Sequence, residues 1–261
     1  MFGIPSDETL ETTSIDTNYK AWDAHLAHIW YNLLHYCTIQ ANSTIIEVAP
    51  GKSTKIAEAL EKIVFRGDIY LIEPHKDLGQ AVYHLYQERL PQATIYLYQC
   101  PLKDALTQLP KQADALLSNH SLDDMLLAET IYTREDLFDW AARGNEQSIA
   151  PYQHVWQQLK NAPEELSRCI KSVQDLWCST IERLEPKKVL LSQYASYHMA
   201  LHDLDDLNHQ ASAILHRLQQ IYASRSVSQP IIQTILNSMK HYDHPHIGLN
   251  VLDSKNWLIL T

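Results

Sequence analysis

The chain has 261 residues, a net charge of −10 at pH 7 and 45% hydrophobic residues, which suits one large α/β domain with insertions rather than two independent domains. Nucleic-acid binding is largely phosphate electrostatics, so an acidic chain without a Lys/Arg-rich stripe argues against RNA or DNA as partner. Four cysteines (Cys37, Cys100, Cys169, Cys178) without a C-x-x-C pair read as reduced thiols of a cytoplasmic protein, and neither a signal peptide nor a membrane span is expected.

In chain order, residues 1–16 are polar. Thr17–Cys37 carries Tyr19, Trp22, Leu26, Ile29, Trp30 and Leu33 at helical spacing, so 1–43 reads as an N-terminal helical segment ahead of the main domain, 44–261. Short β-branched or apolar runs then alternate with amphipathic stretches: strand 44–48, helix 52–65, strand 69–73, helix 76–90, strand 94–98, short helix 101–108, strand 113–117, helix 122–132. Such alternation predicts a parallel sheet with right-handed crossovers and ligands at the carboxyl ends of its strands. Thr133–Ala162, polar with Phe138, Trp140, Tyr152 and Trp156, breaks the rhythm and reads as an insertion over the rim. A long helix opens at Pro163-Glu164-Glu165 and ends before Pro186. Strand 189–192 follows, then a second insertion at about 194–210 and helices at about 207–223 and 229–241. His246–Leu252 and Trp257–Thr261 around a turn at 253–256 read as a closing β-hairpin.

The stretch Thr44–Pro74, TIIEVAPGKSTKIAEALEKIVFRGDIYLIEP, carries the chemistry. Strand, tight turn, helix and strand ending on Glu73 form a βαβ unit. Its turn brings backbone N–H groups to a ligand, and the carboxylate after the second strand accepts from ribose hydroxyls. Gly51 and Glu73 are 22 residues apart, near the ~20 of dinucleotide sites. A P-loop would need glycine at position 46, where Ile46 stands, and G-x-G-x-x-G needs three glycines where this turn has one.

Glu47-x-Ala49-x-Gly51-x-Ser53 resembles the E/D-x-G-x-G-x-G first motif of class I S-adenosylmethionine (SAM)-dependent methyltransferases, with Ala49 and Ser53 in place of the outer glycines. LIEPH (71–75), IYLYQCPLKDAL (95–106) and ADALLSNHSLDDM (113–125) resemble the second, third and fourth motifs in order. The resemblance implies a doubly wound, mostly parallel sheet of seven strands, the last two an antiparallel hairpin, with helical cap segments. SAM is the implied cofactor and a small molecule the implied acceptor. The implied cofactor-binding residues are Glu47, Ala49, Pro50, Gly51, Ser53, Glu73, Pro74, Cys100, Pro101, Leu102, Asn119 and His120. Pro101 stands where the family often has an acidic residue reading the adenine amine, so backbone groups of Cys100–Leu102 and apolar packing would hold the base.

Asn119, His120 and Ser121, just after the fourth strand, are where a catalytic group reaches the line of methyl transfer. His120 is the candidate general base, because an imidazole titrates near neutral pH; the alternative is a histidine that only caps the cofactor. HSLDD (120–124) and HDLDD (202–206) could hold a divalent ion, but carboxylates in first helical turns complement the helix dipole, so no metal is expected. HYDHPH (241–246) reads as a histidine-rich loop. The rival to an enzyme is a SAM- or nucleoside-binding protein without catalysis.

Overall fold

The computed structural model describes residues 23–138, 149–195, 202–237 and 251–261. The calls on Tyr19, Trp22, Trp140 and the histidines of 241–246 lie outside these residues. Helix α1 (23–36) precedes strand β1 (Thr44–Val48). The alternation continues through α2 (Lys55–Lys62), β2 (Asp68–Ile72), α3 (Lys76–Arg89), β3 (Thr94–Tyr98), α4 (Leu102–Ala105), β4 (Ala115–Asn119) and α5 (Leu122–Ala128). After it come α6 (Ala150–Lys160), α7 (Pro163–Leu184), β5 (Lys188–Ser192), α8 (Asp205–Ile221), α9 (Gln229–Asn237) and β6 (Trp257–Leu260).

The sheet order is β3-β2-β1-β4-β5-β6, parallel throughout except that β6 pairs antiparallel with β5. The order reverses between β1 and β4, and that switch point is where open α/β sheets form their ligand crevice. Alternating strand residues feed two cores. Ile46, Leu116, Val189 and Leu258 face α5–α8, while Ile45, Leu71, Leu190 and Ile259 face α1, α2, α3 and α9.

Six strands stand among the described residues where seven were expected. The chain closes on β6, antiparallel to β5; of the other expected hairpin arm, Val251 and Leu252 are in a turn and 246–250 lie outside the described residues, and β6 has a further contact on its outer side. The Val227 amide donates to the Ile259 carbonyl at 2.8 Å, the Thr261 amide donates to the Arg225 carbonyl at 3.1 Å, and Ser226 makes an antiparallel bridge with Leu260. The three residues 225–227, squeezed between α8 and α9, are too few for a strand signal but satisfy the edge of β6.

Two further departures have local causes. Helix α2 begins at Lys55 rather than Lys52, because Ser53 N–H turns back to the Pro50 carbonyl at 3.0 Å and so extends the turn after β1. Strand β4 runs on to Asn119, since Ser118 and Asn119 continue the ladder against Leu191 and Ser192. Inside the expected insertion, α6 sends Tyr152, Val155, Trp156 and Leu159 into the core shared with α5, α7 and α8. Among the described residues no helix is long and apolar enough to cross a membrane.

Candidate active site

The carboxyl ends of β1, β2 and β4 meet at the switch point. After β1 the chain reverses through Ala49 (φ 51°) and Gly51 (φ 58°). A Cβ on Gly51 would meet no heavy atom within 4 Å. Glycine is therefore favoured there by its left-handed backbone, and the position opens onto free space. Glu73, directly after β2, is 5% exposed. Its Oε2 accepts from Gly51 N–H at 3.0 Å and its Oε1 accepts from His75 N–H at 3.1 Å. One carboxylate thus ties the two turns together, and each oxygen keeps lone-pair capacity for a further donor. Burial raises the Glu73 carboxyl above its ordinary value, and the two N–H donors oppose that rise.

Glu47, the other acid of the turn motif, is 1% exposed on the α2/α3 side of the sheet. Its Oε2 takes a very short hydrogen bond from the Tyr86 hydroxyl on α3. Burial pushes its carboxyl up to about 8, against the opposing effect of Tyr86. A raised carboxyl pKa means the native state holds a proton that the unfolded chain has released between about pH 4.5 and 8. The stabilisation is full below that window and is lost as pH rises through it, at up to about 1.4 kcal/mol per pH unit. Glu47→Gln keeps an acceptor for Tyr86 and removes the titration. The melting temperature of the wild type is expected to fall relative to the variant between about pH 5 and 8 and to run parallel above it; parallel profiles throughout would rule this out.

The end of β4 is built around Asn119. Its Oδ1 accepts from Trp30 Nε1–H at 3.0 Å, Ser192 Oγ–H at 3.1 Å and Tyr194 O–H at 3.2 Å. Three donors on one oxygen fix the amide orientation, so the NH₂ group points away from them, and among the described residues it meets no acceptor. Trp30, fully buried on α1 and edge-on to Trp257 at 5.3 Å, anchors the N-terminal helix to this edge.

His120 follows with φ 55°, a costly backbone for a side chain of its size. Its Nε2 lies 2.5 Å from the Tyr194 carbonyl, which can only accept, so Nε2 carries the proton. Nδ1 lies 3.7 Å from Asp123 Oδ1, and the ring tilts over Tyr194 at 4.8 Å. Both ring nitrogens are therefore directed at protein groups. Asp123, 4% exposed, also receives Gln193 Nε2–H at 3.3 Å. Tyr152 donates to Asp124 Oδ1 at 3.0 Å and lies 3.5 Å from Asp123 Oδ2. Burial first, then the charges of Asp123 and Glu73, drive the Asp124 carboxyl well above its ordinary value. Lys55 reaches the same edge, 3.4 Å from Asp23; burial would lower its pKa, but Tyr194, Asp23 and Glu58 outweigh it and raise it.

The remaining expected residues divide. Pro50 is buried in the turn after β1, Ser53 Oγ accepts from the Lys55 amide at 3.4 Å, and Pro74 follows Glu73 into the N-cap of α3. Cys100 is half-buried, Pro101 caps α4 and Leu102 is 5% exposed, so this loop offers backbone and one apolar side chain. The two H-x-L-D-D segments do not converge: Asp123 and Asp124 sit in the buried network, whereas Asp206 forms an exposed ion pair with Lys160. Among the described residues no three His, Cys, Asp or Glu side chains are grouped as a metal ion requires. Trp30, Gln193 and Tyr194 were missed. Gln193 and Tyr194 stand just past β5, the position equivalent to 119–121 past β4, and that equivalence was the available signal.

No protein-family model matches the sequence, and no curated protein matches it. Three solved structures are among those similar to the chain. The bifunctional kinase-methyltransferase WbdD is 11% identical, with 66% of this chain and 28% of that one covered and a TM-score of 0.39. A protein of Methanococcus maripaludis assigned as a SAM-dependent methyltransferase is 13% identical, with 100% and 96% covered and a TM-score of 0.36. The mycolic acid cyclopropane synthase CmaA1, complexed with S-adenosylhomocysteine, is 12% identical, with 70% and 78% covered and a TM-score of 0.31.

Proposed function

We propose that the chain is a SAM-dependent methyltransferase acting on a small-molecule acceptor. The observation that carries this reading is the Glu73 carboxylate bridging Gly51 and His75 N–H groups at the sheet's switch point. The residues present fit the cofactor: Gly51 faces open space, Glu73 keeps acceptor capacity for ribose hydroxyls, and the Asn119 amide offers two unpaired donors. Ala49, Pro50 and Ser53 would shape the turn against the cofactor, and Cys100, Pro101 and Leu102 would flank its base. When bound, SAM supplies a methyl group on a sulfonium, which an aligned nucleophile can take.

The protein's part is alignment and exclusion of water. Asn119 and the α1 helix tied to it hold one wall, and Tyr152 with the buried Asp124 carboxyl it bonds holds another. His120 would move a proton only through Nδ1, with Asp123 beside it; its Nε2–H clamps the Tyr194 carbonyl. Calorimetry with SAM, S-adenosylhomocysteine, ATP and NAD tests the cofactor, the first two being expected to bind and the others not. The second reading, a SAM-binding protein without transfer, is favoured by both His120 nitrogens being directed at protein groups. Turnover of any acceptor would exclude it.

Within the proposed enzyme, Tyr152 belongs to the acceptor side. Tyr152→Phe keeps the buried ring and removes the hydroxyl that Asp124 uses. SAM affinity is expected to stay within about twofold while acceptor turnover falls about tenfold or more, the scale of one lost hydrogen bond to a buried carboxyl. Matched SAM titration and acceptor kinetics check this; loss of SAM affinity would move Tyr152 to the cofactor side.

A further inference from the structure

Strand β3 closes the sheet on one side without a partner among the described residues. Its parallel register with β2 aligns Thr94 with Asp68 through Tyr98 with Ile72. The Thr94 amide donates to the Gly67 carbonyl, and the Tyr98 carbonyl accepts from the Glu73 amide, both at 3.0 Å. Backbone direction alternates along a strand, so Thr94, Tyr96 and Tyr98 spend their N–H and C=O groups on β2. Ile95 and Leu97 present theirs outward.

Natural edge strands are normally blunted by charge, proline or a bulge. This one, TIYLY, has none of them. The groove beside it, about 430 Å³, is lined by Gln80, Tyr83 and residues 95–99 and contains no charged side chain. Tyr96 is 41% exposed and stacks on Tyr70 at 4.6 Å and 14°, on the face that the four-residue α4 leaves open.

We infer that β3 pairs antiparallel with β3 of a second copy of this chain about a two-fold axis at Tyr96, joining the two sheets edge to edge. The outward groups define that register. Ile95 of one copy exchanges both backbone hydrogen bonds with Leu97 of the other, and the reverse exchange follows by symmetry, so every outward group of 95 and 97 is satisfied. Tyr96 then faces its own counterpart in the close, non-hydrogen-bonded position, extending the Tyr70–Tyr96 stack across the axis. The absence of charge selects this occupant. Two copies of net charge −10 repel over most of their surfaces, and an uncharged strip allows approach while giving a charged foreign peptide nothing to recognise. A five-residue strand gives a small interface, so the dimer dissociates in the micromolar range.

Sedimentation equilibrium of the full chain across a micromolar concentration series tests this, with Tyr96→Lys and Leu97→Pro. The wild type is expected to reach twice the 30.0 kDa of one chain. Tyr96→Lys sets two ammonium groups face to face, and Leu97→Pro removes an outward N–H without touching the β2 ladder. Each is expected to weaken association at least about tenfold, with unchanged far-ultraviolet circular dichroism. Should Leu97→Pro misfold, Tyr96→Lys decides alone, since its side chain lies at the surface. Tyr96→Cys is expected to form a reducible cross-linked dimer under oxidation that the wild type does not. A wild type monomeric throughout, or a dimer indifferent to Tyr96→Lys, overturns the inference.

Discussion

Glu73→Ala is expected to weaken SAM binding by about 1.5–3 kcal/mol, roughly 10- to 150-fold, the range for hydrogen bonds to a charged group. Two losses combine. The ribose hydroxyls lose their acceptor, and the Gly51 and His75 N–H groups lose the carboxylate that holds the turns after β1 and β2 in one arrangement. Glu73→Gln separates them: it keeps one carbonyl acceptor but turns an NH₂ toward one of those N–H groups, so an intermediate loss is expected. Because burial already raises the Glu73 carboxyl, SAM affinity is also expected to fall on acidification at a higher pH than for an exposed glutamate. Calorimetric titration of wild type and both variants measures each step. Unchanged SAM affinity in Glu73→Ala, or equal affinity of the wild type for ATP, would remove the ribose assignment.

The parts legible in the sequence are those that local periodicity dictates. The β-branched run of β1, the 3.6-residue spacing of α7 and the single glycine of a tight turn each act within a few residues, and the structure has them where the pattern places them. The placement of Gly51 and Glu73 in the turns after β1 and β2 was legible because a βαβ unit puts both turns at one sheet edge, whereas the hydrogen bond joining them appears only in the structure. The contact of residues 225–227 with β6 was not legible, because those three residues carry no strand pattern of their own. Glu47 shows a different gap. Its place in the turn motif says where its backbone lies, but strand alternation sends its side chain to the α2/α3 face, where only the fold brings Tyr86. The buried network of His120, Asp123, Asp124, Tyr152 and Gln193 includes bonds between positions 28, 29 and 70 residues apart, and no spacing rule reaches that far.

Asn119 separates stability from ligand recognition within one side chain. Asn119→Leu leaves Trp30 Nε1–H, Ser192 Oγ–H and Tyr194 O–H without their shared acceptor, in a region where Trp30 is fully buried and Ser192 and Tyr194 are each 2% exposed. An orphaned buried donor costs about 1–3 kcal/mol, and the two hydroxyls can rotate while the indole cannot, so a total of about 2–5 kcal/mol is expected. For a chain of this size that is a melting-temperature drop on the order of 10 °C. Asn119→Asp behaves differently. It preserves an acceptor for all three donors and replaces only the outward NH₂ by oxygen, so the fold and the α1 anchor are retained. If that NH₂ group faces the cofactor, as proposed above, the variant meets SAM with a charged acceptor in place of a neutral donor. SAM affinity is then expected to fall at least about tenfold with little loss of thermal stability. Paired thermal melts and SAM titrations of both variants resolve the two roles. An Asn119→Asp protein that binds SAM like the wild type would show that the amide serves only to join α1, β4 and β5, and Asn119 would leave the binding site.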